Sequence, residues 1–335
     1  MEMVTRPHVQ NFIDWSRDRP EVLVVSADLT NSCEVGRWRD TYPDRFISAG
    51  MAEQNMMGVA AGLAREGFIP WIHTFAVFIY RRPYDQLAMS IAYPNLPVRF
   101  VGFLPGIVTP GGVTHQAIED VAIMRATPNM TILETGDATD VESVLDVTEQ
   151  IDGPVYIRML RGQLPRLFPV DEPMQFGMSR QLSTGDQVTV LTSGIATEEA
   201  MRATGVLAER GVEITHLHVS TLKPFGDPQI EEALATGTGP VITLENHTII
   251  GGLGSAVSEY LTDRGIGRKL VRLGLKDTYA HGASKSFLLK EYHLDAWALV
   301  QTIEAELGRD LSLTEDDLAA ARVETTASRV NAEAL

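Results

Sequence analysis

Cysteine is nearly absent: Cys33 is the single one in 335 residues. This excludes an internal disulfide framework and a cysteine zinc cluster. Basic residues are also scarce, with 28 Lys and Arg against 44 Asp and Glu and a net charge of −16. That balance argues against nucleic-acid binding as the main activity, because a phosphate backbone calls for a basic footprint. No apolar run is long enough to span a bilayer, and Met1 to Pro20 carries no apolar core of signal-peptide type. Secreted and membrane readings lose support, and a cytoplasmic enzyme or subunit is expected. The remaining composition is that of an ordinary globular protein, 44% hydrophobic and 21% charged. Its length suggests about two domains.

What is present is an alternation of apolar runs and helical patterns. Glu21 to Ala27 (EVLVVSA) predicts a short buried strand. Ala52 to Arg65 sets Met56, Met57, Val59, Ala60 and Leu63 at helical spacing. Strand-like runs at Ile69–Phe75, Val98–Phe103, Met130–Glu134 and Val155–Arg158 alternate with helix-like stretches at Pro83–Ala92, from Ala117, and at Ala138–Gln150. This order predicts right-handed crossovers and a mostly parallel sheet. Met159 to Gly185 breaks the rhythm with Pro165, Pro169 and Pro173, and reads as an interdomain connection. A second alternating unit runs from a strand at Gln187–Leu191 to a strand at Lys269–Leu273, with a last amphipathic helix at Leu294–Leu307. The expected fold class is α/β with two doubly wound domains. Residues 1–160 form the first, 161–186 a linker and 187–308 the second. An acidic tail at 309–335 either forms one more helix or has no fixed structure.

Ligands of open parallel sheets sit beyond the C-terminal strand ends. Three loops follow such ends: Ser26 to Ser32, Thr74 to Arg82, and Pro105 to Gln116. Taken singly, each reads as a turn or a cap, and Asp28 and Ser32 are good N-cap residues. Together, at one sheet edge, they point to a site. Glu53 stands near the start of the amphipathic helix, where a first-turn acid is also favoured by the helix dipole alone.

The stretch GMAEQNMMGVAAGLAREGFIPWIHTFAVF, followed by YDQL, resembles the pyrimidine-binding domain of thiamine-diphosphate enzymes of the transketolase family. SADLTNS upstream and GGVTHQAIEDVAIMRATPNM downstream fit the same family in order and spacing. TSGIATEEA, STLKPF and ENHTIIGGLGSAVSEYL resemble its C-terminal domain, so the likeness runs from Arg6 to Leu307. It implies a pyrimidine-binding-type domain followed by a transketolase C-terminal-type domain. It also implies roles by position. Glu53 matches the glutamate that hydrogen-bonds N1′ of the aminopyrimidine, and Phe75 and Phe78 match the aromatics that hold that ring. Asp28 and Arg81 fall at cofactor-binding positions. His115 matches a histidine facing the sugar, and Arg6, Ser32 and Arg161 match positions that hold a sugar phosphate. The chemistry is coherent. A carboxyl beside N1′ shares a proton with the ring, so that the ring's 4′-nitrogen can remove the C2 proton. An apolar, aromatic surrounding favours the protonated carboxyl such a role uses.

The departures carry as much information. The family grips the cofactor's pyrophosphate and Mg²⁺ with a Gly-Asp-Gly followed by Asn. Gly136-Asp137-Ala138 and Gly185-Asp186-Gln187 both fail that pattern. The expectation is therefore the C-terminal subunit of a split transketolase. A separate N-terminal subunit would carry the Gly-Asp-Gly…Asn site and most of the Mg²⁺ binding, and α2β2 is the simplest symmetric assembly. The aspartate that usually reads a substrate hydroxyl falls at Gly111, and a phosphate-contacting histidine falls near Phe103. A site without those groups discriminates less for that hydroxyl. The expected substrate is a ketose, phosphorylated or atypical, giving up a two-carbon ketol unit to an aldehyde. The alternatives are the β subunit of a 2-oxo acid dehydrogenase E1, a deoxyxylulose-phosphate-synthase-like carboligase using pyruvate, and a non-catalytic partner-binding subunit. His216 and His218 alternate on a strand without a third ligand spaced nearby, and read as ordinary strand histidines. Gly251 to Gly254 lacks the dinucleotide spacing and reads as close helix–strand packing or a subunit contact. Cys33 has no evident base partner and is not expected to be a nucleophile; His73 either lines the pocket or is a satisfied buried histidine; His247 and His281 could approach the interface and are not expected to be catalytic.

Overall fold

The computed structural model describes residues 2–320. The central strands form where β-branched and apolar residues predominate. The chain order is β1 (Met3–Thr5), β2 (Val22–Ser26), β3 (Phe46–Ser48), β4 (Ile69–Phe75), β5 (Arg99–Phe103), β6 (Thr131–Glu134) and β7 (Val155–Met159). Then follow β8 (Gln163–Pro165), β9 (Arg180–Ser183), β10 (Val188–Thr192), β11 (Ile214–His218), β12 (Thr221–Lys223), β13 (Val241–Thr248) and β14 (Leu270–Leu275). A seven-stranded sheet has the order β12-β6-β7-β5-β4-β2-β3, and a five-stranded sheet the order β14-β13-β10-β11-β9. Every residue of β2, β5, β7, β10 and β11 is buried, as strands covered by helices on both faces require. Both sheets are parallel except at one edge, where β12 and β9 run antiparallel to β6 and β11. Among the described residues no helix is long and apolar enough to cross a membrane.

The stretch 161–186 holds more structure than an expected linker. β8 pairs with β1, and β9 closes the second sheet. These strands are three or four residues long, too short to show a period among the prolines. The helix Pro7–Trp15 was not expected either, although Pro7 sits at its first turn. Pro83–Ala92 is a short helical turn at Tyr84–Gln86 running into a π-helix at Leu87–Ala92, which buries Leu87, Ile91 and Ala92. β12 lies within 187–308 yet joins the first sheet, where Lys223 Nζ donates to the carbonyls of Arg125 and Thr127 at the C-terminal end of the helix Asp120–Ala126. In the tail, a helix at Glu315–Ala320 forms an Asp317–Arg210 pair at 3.6 Å. Residues 321–335 of the tail lie outside the described residues.

Where the two sheets meet, a charged cluster is wholly buried. Arg158 on β7 donates through Nε to Asp120 at 2.8 Å and through Nη1 to Glu134 at 2.5 Å. Its Nη2 donates to the Asn246 carbonyl of β13 at 3.1 Å, and Tyr156 Oη donates to Asp120 at 2.6 Å. A second bridge joins the units where His218 Nε2 meets Asp140 at 2.9 Å. Arg158→Met would leave Asp120 and Glu134 buried without their cation. It is expected to lower unfolding free energy by about 3–5 kcal/mol. Urea unfolding of the two proteins checks this, and a loss below about 1 kcal/mol contradicts it.

Candidate active site

In the first sheet β2 lies between β3 and β4, so the winding direction reverses there and opens a crevice beyond the C-terminal strand ends. Five neighbouring strands, β3, β2, β4, β5 and β7, deliver side chains to that edge. Glu53 follows β3, Asp28 and Ser32 follow β2, and Phe78 with Arg81 follows β4. His115 lies on the loop after β5 and Arg161 follows β7. Arg6 arrives from a different direction. The β1–β8 pairing carries it to the same edge, where its backbone N–H donates to the Gly162 carbonyl at 2.6 Å.

Glu53 is 3% exposed at the first position of the helix Glu53–Arg65. Its carboxylate is not in a purely apolar pocket as expected, because Arg82 Nη1 donates to it at 3.2 Å. Arg82 itself is half exposed and lies over the Phe78 ring, its guanidinium carbon 4.5 Å from the centroid. Phe75 and Phe78 stack with centroids 6.1 Å apart and planes at 22°. His115 meets both edge-on, at 6.1 and 5.6 Å, and its Nδ1 lies 2.9 Å from Thr114 Oγ1. Arg161 stands over Phe75 at 5.4 Å and donates to the Ser32 carbonyl at 2.5 Å. The structure thus gathers Glu53, Phe75, Phe78, His115, Arg161 and Ser32 at one edge. Asp28 is exposed in a left-handed backbone conformation. Neither it nor Ser32 caps a helix among the described residues, so the simple capping explanation fails.

Arg81 is committed elsewhere. Its guanidinium donates to both oxygens of Glu119, at 2.8 and 3.0 Å, and to the carbonyls of Val113 and Gln116. It clamps the loop that bears His115. The same loop is held from the second unit: Asn246 Oδ1 accepts from the Ile107 N–H at 2.9 Å and its Nδ2 donates to the Pro105 carbonyl at 3.0 Å. Gln116 Nε2 adds a bond to the His281 carbonyl at 3.1 Å. Gly111 has a physical role in this loop, since a Cβ there would lie 3.1 Å from His115 Cβ and Cγ. Phe103 is fully buried against His8 and His73, so no group of its own reaches the crevice.

The discounted groups are accounted for. His73 Nε2 lies 3.1 Å from His8 Nε2 in an aromatic cluster, and burial pushes His8 down to about 3 and His73 in the same direction. Burial also lowers His216 to about 3 and His247 to about 4. Burial raises the Cys33 thiol, which suits packing rather than nucleophilic attack. At Gly252 to Gly254 the helix N-terminus is occupied by the chain's own Glu245, which accepts from the N–H groups of Leu253 and Gly254. Sequence reasoning missed Arg82 and Glu34. Both lie in the loops it had singled out or at their border, but nothing in their spacing pointed to the carboxylate and guanidinium groups they meet.

The group implied by the resemblance is thiamine diphosphate. The residues fit its aminopyrimidine: a buried carboxylate with one exposed cation as its partner, beside two stacked aromatic faces. Among the described residues there is no group of three or more His, Cys, Asp or Glu that could hold a metal ion.

Residues 9–166 match the model of the transketolase pyrimidine-binding domain and residues 177–299 that of the transketolase C-terminal domain. A 6-deoxy-6-sulfo-D-fructose transketolase subunit of Clostridium sp. is 37% identical over 295 residues, covering 88% of this chain and 91% of that protein. The 1-deoxy-D-xylulose-5-phosphate synthase of Desulforudis audaxviator is 32% identical over 289 residues. The match covers 85% of this chain and 45% of that longer protein. A solved structure described as a split gene transketolase, an inactive β4 tetramer, superposes with a TM-score of 0.81 at 35% identity, covering 90% of this chain and 97% of that one. With both domain models matched in order over most of its length, the chain belongs to the transketolase family.

Proposed function

We propose that this chain is the C-terminal subunit of a split, thiamine-diphosphate-dependent transketolase of the cytoplasm. It would move a two-carbon ketol unit from a ketose to an aldehyde acceptor. The observation that carries this reading is one contiguous set of side chains: buried Glu53 is joined through Arg82 to the Phe78 ring, Phe78 stacks with Phe75, His115 meets both rings edge-on and Arg161 stands over Phe75. When bound, the cofactor supplies the electron sink for carbon–carbon cleavage. Glu53 would hold a proton shared with N1′ of the aminopyrimidine, and Arg82 would keep that carboxylate in place. Phe75 and Phe78 would receive the ring's flat face and exclude water from it. Asp28, exposed on the loop after β2, would lie near the cofactor. His115 would orient the substrate or move a proton at one of its hydroxyl oxygens. Arg6, Ser32 and Arg161 would hold the substrate's anionic end. Arg81 acts by position rather than by touching the cofactor, fixing the loop that carries His115.

The pyrophosphate and Mg²⁺ would be held by an N-terminal partner subunit with the Gly-Asp-Gly…Asn pattern, in an α2β2 assembly. Exposed apolar side chains beside the crevice support a subunit contact there: Met51, two residues before Glu53, is 81% exposed, and Val113, two before His115, is 40% exposed. A carboligase using pyruvate is the second reading. It is favoured by the bare Gly111 and by the synthase likeness.

Glu53→Ala in the assembled complex is expected to cut turnover by at least about a hundredfold while folding and assembly stay intact. Steady-state kinetics beside sedimentation analysis checks this, and near-normal activity contradicts it. A donor screen with the same complex is expected to consume ketoses and release an aldehyde. Consumption of pyruvate with release of carbon dioxide, and none of any ketose, would instead establish the carboligase.

A further inference from the structure

Glu34, on the turn that follows Asp28 and Ser32, is 7% exposed. Its Oε1 accepts from the Gly162 N–H at 2.8 Å and lies 3.9 Å from Arg6 Nε. Its Oε2 is buried with no hydrogen-bond partner. Arg161, next to Gly162, is close enough to act on this carboxylate electrostatically while it spans Phe75 and the Ser32 carbonyl. The two arginines expected to hold an anion thus share their mouth with a buried acid. Burial pushes the Glu34 carboxyl up from the ordinary range despite both cations, so its negative charge is only partly compensated. Two guanidinium groups and one carboxylate leave a formal charge of one positive.

Resting on the ketose reading above, we propose that Glu34 sets the charge this mouth accepts, cutting its preference for a dianion over a substrate end with one negative charge. Coulomb energy scales with the product of the charges, so Glu34 opposes a dianion about twice as strongly, in logarithmic terms, as a monoanion. Arg6 is largely exposed and can swing onto a ligand, whereas Glu34 is fixed by Gly162 and cannot leave.

Methanesulfonate and sulfate test this directly, having similar tetrahedral shapes with one and two charges. Each is titrated into the full chain while the Arg6 and Arg161 side-chain Nε–H resonances are followed, for the native protein and for Glu34→Gln. The amide keeps an acceptor for the Gly162 N–H. The native protein is expected to bind sulfate only about threefold more tightly than methanesulfonate. Glu34→Gln should tighten sulfate about tenfold and methanesulfonate about threefold. An equal shift for both anions, no shift, or no response of either arginine to either anion overturns the proposal. Should the variant not fold, the native ratio decides alone, and sulfate tighter by about tenfold overturns it. Because these readouts need neither cofactor nor turnover, failure of ketol transfer and failure of this charge selection are separately visible.

Discussion

The buried guanidinium of Arg158 is the constraint on which the rest of the molecule depends. It is bound by Asp120 at the start of one helix, by Glu134 on the neighbouring strand, and by the Asn246 carbonyl of the second sheet. A charge taken out of water needs this full set of partners, and each partner comes from a different element. Meeting the hydrogen-bonding demand of one side chain therefore fixes how the two sheets meet. Asn246 continues the same junction into the loop after β5 through its bonds to Pro105 and Ile107. The end of that loop bears His115. The second unit thus helps to build the crevice without contributing a side chain to its aromatic wall.

The crevice itself follows from topology. Parallel strands send their loops to one edge, and the reversal at β2 leaves a gap between loops that diverge. A row of neighbouring strands then needs only one useful residue each. The arrangement tolerates change in single loops, and the change seen here is informative. Gly111 removes a side chain that would crowd His115, and Phe103 is sealed in the core. Glu34 adds a negative charge where the family likeness implies two arginines and a serine. Under the proposed reading these would make the substrate side of the crevice less cationic and less demanding of one hydroxyl.

Much of this was legible in the sequence, for stated reasons. The apolar runs of β2, β4 and β5 are long and buried on both faces, so composition alone marks them. Loops after such strands are the places to look: Phe75 closes β4 and Phe78 and His115 follow β4 and β5, whereas Glu53, after the short β3, and Arg161, after β7, took their roles from the family resemblance. The short strands β1, β8, β9 and β12 were not legible, because three or four residues give no period and their pairing partners lie far away. Nor were the side-chain pairings. Arg82 meets Glu53 across 29 residues and Asn246 meets Ile107 across 139, distances at which spacing carries no information. Arg81 shows the same limit, since its position suggests a cofactor contact while its geometry commits it to Glu119.

The central claim is that this chain furnishes half of a cofactor site: the acid and the aromatic slot, with the pyrophosphate grip supplied by a partner. Calorimetric titration of thiamine diphosphate with Mg²⁺ tests it most directly. It is run once into this chain alone and once into its co-expressed complex with an N-terminal subunit bearing the Gly-Asp-Gly…Asn pattern. Tight binding by the complex and none by the isolated chain is the predicted result. Equally tight binding by the chain alone, or none by the complex, would contradict it.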